Sequence, residues 1–324
     1  MEYQYIPGRA LPCFAKAGYF FLFLLLIYSF YGCAPVENLP HEDTFLHDRA
    51  MLIRERGELA YGEGDYQMAL VSFRDALVID RRLNEQGRQI SDLIGMGRAY
   101  TGLGRMELAR KNLIKAVKLA FSSRDDKGLA KAYTALARSY LRADIYSRAI
   151  ENINDAISLT RAGGGSTLEL YNLAALIYLR AGRLDEAEGM IDKALNAVNG
   201  EGAAQSAAVS DTYRVKAGIL SKKGDYDSAI SYFDMAYAVD VRQGDEKNMA
   251  FDLWSSAVVL MDLGRYKEAI RHLKKSFLLY RKSGYIKGAM RDIDKLVEIY
   301  TAMGDKSSES YYRNMREAMT ADMR

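Results

Sequence analysis

The sequence predicts an all-α fold, a solenoid of antiparallel helix pairs, and three observations predict it. The first is a phrase that recurs at a fixed period. After the turn Gly64-Asp65, Ala69, Phe73 and Ala76 fall on one helix face at spacings of four and three. The same arrangement follows Gly104-Arg105 (Ala109, Leu113, Ala116), Asp144-Ile145 (Ala149, Ile153, Ala156) and Gly182-Arg183 (Ala187, Ile191, Ala194). It follows again after Gly224-Asp225 (Ala229, Phe233, Ala236) and Gly264-Arg265 (Ala269, Leu273, Ser276). The leading alanines lie 40, 40, 38, 42 and 40 residues apart, a period that marks a helical repeat array. The second observation is that all four prolines precede residue 41. At ordinary usage of ~5% the remaining chain would hold on the order of 14. Their absence suits nearly unbroken helix, where a proline removes a hydrogen bond and clashes with the preceding turn. The third is a helix ahead of each turn in which a small residue is followed, three places later, by an aromatic or leucine.

Composition bounds the rest. A chain of 324 residues would be large for one compact core, whereas stacked units need only bury their faces against neighbours. The net charge of +3, from 45 basic and 42 acidic residues, gives no argument for nucleic acid.

In chain order, Arg9 and Lys16 precede an apolar run of 13 residues, 19–31. That length fits a signal-peptide core better than a membrane span, which needs ~20 residues. Gly32-Cys33 follows at once, and this ending resembles the bacterial lipoprotein signal. The resemblance implies cleavage after residue 32, lipidation of Cys33 and a mature chain beginning there. Phe30 and Tyr31 depart from the usual Leu and small residue at those places. By the same resemblance Ala34, next to the cysteine, implies outer-membrane rather than inner-membrane sorting. The only other cysteine, Cys13, would leave with the signal, so the mature chain could form no internal disulfide. The alternative is an uncleaved apolar anchor holding the protein at the inner membrane. Residues 33–48, with Pro35 and Pro40 and no helical period, are expected to be a tether.

The repeats occupy 49–305. Their first helices carry Leu93, Gly97 and Tyr100; Tyr133, Ala137 and Tyr140; Tyr171, Ala175 and Tyr178; and then Tyr213, Ala217 and Leu220. Leu253, Ala257 and Leu260 continue the series, followed by Ile293, Val297 and Tyr300. The first unit is weaker, with Gly57 and Ala60. A small residue lets two helices approach, and the larger one fills the space beside it. This pattern resembles the tetratricopeptide repeat, and its period near 40 is similar to the long-helix subclass of kinesin light chain and LGN-type scaffolds. The resemblance implies a right-handed superhelix of about six full repeats plus a degenerate last one. Gly163-Gly164-Gly165-Ser166 and Asn199-Gly200-Glu201-Gly202 are expected as ordinary inter-repeat loops. In the last unit the Ala, aromatic and Ala places hold Glu309, Arg313 and Arg316, so 306–324 is expected to be a capping helix with one face in water.

Little in the chain could carry chemistry. His41, His47 and His272 form no metal-spaced cluster, and Gly95-Met96-Gly97 lies inside a repeat helix rather than in a phosphate loop. No nucleophile motif is present, so neither a catalytic site nor a cofactor or metal is expected. Most of the 23 tyrosines sit at core places of the repeat, so packing explains them better than stacking on bases or sugars.

The resemblance implies that the first helices line a concave face. Its inward places are then Arg54 and Glu58, Ile94 and Arg98, Thr134 and Arg138, Asn172 and Leu176, Arg214 and Gly218, Trp254 and Val258, and Asp294 and Glu298. The expected partner groove is therefore basic in the middle (Arg98, Arg138, Arg142, Asn172, Arg180 and Arg214) and apolar at Trp254. By the same resemblance Asn172 would hold a peptide main chain, since an amide both donates and accepts. Arginines pair with carboxylates in a fork, which points to an acidic extended ligand. The chain is thus expected to be a lipid-anchored scaffold on the periplasmic side of the outer membrane, binding a peptide or protein partner and no nucleic acid. A carbohydrate or cell-wall binder using Trp254 is the other class considered.

Overall fold

The computed structural model describes residues 40–200 and 207–321. Fourteen helices fill the described residues, and no strand occurs among them. They are α1 Pro40–Glu63, α2 Tyr66–Arg82, α3 Gln86–Gly102, α4 Met106–Ser123, α5 Asp126–Arg142, α6 Tyr146–Ala162 and α7 Leu168–Arg180. Then follow α8 Leu184–Gly200, α9 Ala207–Lys223, α10 Tyr226–Gln243, α11 Glu246–Asp262, α12 Tyr266–Lys282, α13 Ile286–Met303 and α14 Lys306–Ala321. Seven helix pairs result, as the all-α repeat solenoid requires. Among the described residues no helix is long and apolar enough to cross a membrane.

The links show a finer period than the repeat phrase did. Every described link holds a residue with positive φ, at 64, 84, 104, 124, 144, 164 and 182, and again at 224, 244, 264, 284 and 304. Nine of these are glycine; the others are Asn84, Arg124 and Asp144. The next N–H closes back on a carbonyl of the helix just ended, as from Asp65 to Ala60 at 2.9 Å and from Arg265 to Leu260 at 2.9 Å. This is the Schellman closure, which satisfies carbonyls the helix end would leave orphaned. The same following residue starts the next helix: Asp65 Oδ1 accepts from Met68 N–H at 2.9 Å, and Asp245 Oδ1 from Asn248 N–H at 3.0 Å. Each unit of 40 is therefore two helix-and-link halves of about 20.

The recurring phrase is the core. Ala69, Phe73 and Ala76 are fully buried, and so are their counterparts in the other units; the most exposed of them, Phe233, shows only 6%. Ser276 replaces alanine because it has polar work: its hydroxyl lies 2.8 Å from both Ala250 O and Asp292 Oδ2. Gly95 and Gly97 mark the closest approaches. A Cβ on Gly95 would stand 2.6 Å from Phe73 of the preceding unit, and one on Gly97 2.5 Å from Leu113 of its own. Consecutive helices pack together, and odd-numbered helices, α9 and α11 apart, also meet the odd helix two places on. Stacking on that side alone curves the array, with the odd helices inside.

Two expectations at the ends meet the structure differently. Residues 40–48, expected as tether, form the first turns of α1. Proline is tolerated at a helix start, where its missing N–H has no partner to lose. Ala50 is fully buried, and Arg88 Nη1 reaches His47 Nδ1 at 2.6 Å, fastening this turn to α3. The signal segment, Cys33 and residues 34–39 lie outside the described residues. At the other end α14, within the span expected as a capping helix, has no buried residue.

Candidate functional site

The concave side encloses a groove of about 2010 Å³ running from Tyr61 to Arg291. Leu173, Leu176, Leu179, Phe233 and Val258 give it an apolar floor. Its cations come from several inner helices: Lys127, Lys131, Arg138 and Arg142 from α5, Arg180 from α7 and Lys222 from α9. All six are exposed, and none is in a salt bridge among the described residues. The lining carboxylates are Asp126, Glu169 and Asp262. The positive sign is thus a property of the cavity, although the whole chain is nearly neutral.

The sequence candidates divide. Arg138, Arg142 and Arg180 line the groove with exposed guanidinium groups in no salt bridge, Arg138 within electrostatic reach of Asp211. Arg98 lines it too, but Nη1 donates to both oxygens of Glu58 at 3.1 Å and the guanidinium stacks 4.2 Å above the Tyr61 ring. Trp254 lines the apolar part, where Arg291 covers its ring at 3.9 Å and Phe251 lies at 6.0 Å.

Arg214 and Asn172 are not on the groove surface, and the expectation for both is corrected by burial. Arg214 Nε donates to Asp252 at 2.6 Å, Nη1 to Asp211 at 2.5 Å and Nη2 to Asp240. The side chains of Asp240 and Asp252 are fully buried. Four repeats earlier Arg54 makes the same clasp, with Nε donating to Asp92 at 2.7 Å and Nη2 to Asp80. At the matching places of the second unit stand Ile94, Ala120 and Ala132, so the guanidinium and both carboxylates are absent together. In the fourth unit the place is Asn172, only 6% exposed. Its Nδ2 donates to Ala208 O at 2.7 Å, and its Oδ1 lies 2.9 Å from the Thr212 hydroxyl. This position therefore locks one unit to the next, and its polar groups are already used.

Burial pushes the Asp92 carboxyl up to about 7 and the Asp252 carboxyl up to about 8, against the pull of the arginine in each clasp. Burial likewise pushes Asp292 up to about 7, with the Ser276 hydroxyl opposing. These carboxyls are sealed in joints between units and face no substrate-sized space. Among the described residues no group of three His, Cys, Asp or Glu could hold a metal.

Lys127, Lys131 and Lys222 escaped the sequence reading. A signal existed for two of them: 127, 131, 134, 138 and 142 run at steps of four and three along one face of α5. Nothing in the sequence marks Arg291, which reaches Trp254 from the next unit.

Two family models, both described as tetratricopeptide repeat, match residues 166–240 and 93–123. No curated protein matches the sequence. Among solved structures the chain is similar to BtubC (BKLC) from P. vanneervenii, at 19% identity and a TM-score of 0.57, covering 68% of this chain and 92% of that one. It is similar to the apo quorum sensor NprR from B. thuringiensis, at 15% identity and a TM-score of 0.53, covering 94% of each. It is also similar to the Rap conjugation gene regulator of plasmid pLS20 in complex with the Phr* peptide, at 13% identity and a TM-score of 0.62. That match covers 90% of this chain and 79% of the other. The protein is an all-α helical-repeat solenoid in which residues 93–123 and 166–240 match tetratricopeptide repeats.

Proposed function

We propose that this chain is a lipid-anchored binding scaffold of the bacterial cell envelope, acting by recognition rather than catalysis. Its groove takes an extended acidic segment of a peptide or protein partner. The observation that carries this is the set of six unpaired cations, Lys127, Lys131, Arg138, Arg142, Arg180 and Lys222, around an apolar floor. A stack of packed helices holds them in place before a ligand arrives, which lowers the ordering cost of binding. The peptide-bound Rap regulator supports a peptide as occupant, by likeness of fold alone. The anchoring rests on Gly32-Cys33 behind the apolar run 19–31 and on Ala34, which favours the periplasmic face of the outer membrane. A carbohydrate ligand gains no support, because Arg291 already covers the Trp254 ring.

A fluorescent Glu-rich peptide of roughly ten residues, with one central leucine, spans about 33 Å when extended and probes the groove. Arg138→Glu/Arg142→Glu/Arg180→Glu should weaken its binding by about tenfold per arginine, with thermal stability unchanged. Equal binding by both proteins would move recognition off the concave face. Acyl labelling lost in Cys33→Ser checks the anchor separately.

A further inference from the structure

The even-numbered helices form the convex side, and their exposed faces differ along the array. α2 and α4, in the two units nearest the N-terminal segment, hold apolar side chains in the open. Phe121 is 74% exposed and Val78 62%, with Met68, Leu108 and Ile114 also open. Beside them stand Arg81, Arg82, Lys111, Lys115 and Lys118, all exposed and in no salt bridge among the described residues. Arg74 approaches only its neighbour Asp75, at 3.8 Å. On α4 the steps from Leu108 through Lys111, Lys115 and Lys118 to Phe121 keep these groups on one outward face.

No other even helix combines these features. α8 sets Asp185, Glu186, Glu188 and Asp192 against a single Lys193. α12 is basic, but apart from Lys267 its lysines and arginines are engaged, Lys274 with Tyr300 and Tyr312. Arg271 lies 3.8 Å from Glu268, Lys275 sits over Tyr237 at 4.6 Å, Arg281 over Phe277 at 5.9 Å, and Lys282 pairs with Glu246.

We propose that the convex face of α2 and α4 docks on an anionic phospholipid surface. Phe121, Ile114 and Val78 enter the headgroup boundary, and the free lysines and arginines meet the phosphates. Long cationic side chains reach from an apolar bed to such headgroups, and an aromatic at the boundary is the usual anchor. The attraction extends about one Debye length, so the face must already be held near the bilayer. The N-terminal segment supplies that: Cys33 to Pro40 is seven residues, which span at most ~25 Å. The choice of a bilayer as occupant rests on the anchoring proposed above. Docked this way, the array turns its concave groove away from the lipid, toward a partner.

The test uses the full chain with its only indole moved to the docking face, Trp254→Phe/Phe121→Trp. It is reconstituted in vesicles of phosphatidylglycerol and bromine-labelled phosphatidylcholine, or of the phosphatidylcholine alone. Indole quenching by the bromines is expected in the anionic vesicles. It should fall to the level of the zwitterionic ones in about 0.5 M salt, or when Lys111→Glu/Lys115→Glu/Lys118→Glu is added. Circular dichroism checks that each variant folds. No quenching in anionic vesicles with which the chain floats overturns the docking, as does quenching untouched by the charge reversal. Flotation and acyl labelling of Cys33→Ser report on the anchor independently, so its failure is told apart from failure of the docking face.

Discussion

Arg54 and Arg214 show how one residue type serves two ends in the same fold. An arginine at a joint between units is half-buried and held by buried carboxylates, while Arg138, four residues after the matching place in its own unit, is exposed in the groove and in no salt bridge. The clasps also carry a pH dependence. The folded state holds the carboxyls of Asp92 and Asp252 at about 7 and about 8, above their ordinary value near 4. Folding therefore takes up protons between these limits. The stability the groups contribute is full below the unfolded value and is lost as pH rises through the folded one. Stability to urea is expected to decline from pH 5 to pH 8.5. Asp252→Asn, which imitates the protonated carboxyl, should flatten that decline. An unchanged slope in the variant would show that the clasp does not bind the proton.

At the scale of the element, helix and link obey different constraints. The links need a left-handed residue every 20 positions or so, which is why glycine dominates there. Inside α3 the glycines answer to space instead. Gly97→Ala would bring a methyl within 2.5 Å of Leu113 and should destabilise the protein by ~1–3 kcal/mol, the ordinary cost of overpacking. Gly87→Ala, in the same helix with nothing within 4 Å, should be neutral or stabilise by up to ~1 kcal/mol. Paired urea titrations compare the two, and equal effects would remove close packing as the role of Gly97.

The whole molecule is held by contacts between neighbours along a line, so its ends should open first. α14 buries no residue and is the expected place of fastest amide exchange, with α3 to α6 among the slowest. Exchange read by mass spectrometry checks the order, and uniform protection along the chain would contradict a one-dimensional stack. The curvature is likewise a property of the whole. It brings cations from α5, α7 and α9 around one groove, although they are up to 95 residues apart.

Much of this was legible in the sequence because helix periodicity is local. Ala69, Phe73 and Ala76 announce a buried face whatever lies beyond them, and their return every 40 residues announces the stack. Arg138, Arg142 and Arg180 could be placed in the groove because no buried carboxylate claims them. Arg214 and Asn172 could not be judged alone, since apart from Asp211 beside Arg214 their partners stand 26 to 40 residues away, on other helices. The sequence by itself determined the helices, their links and the repeat, for these depend on neighbours within a turn or two. Only the tertiary structure decided which polar side chains are sealed into joints and which stay free for a partner, because burial and pairing are set by helices that meet only after the chain has stacked.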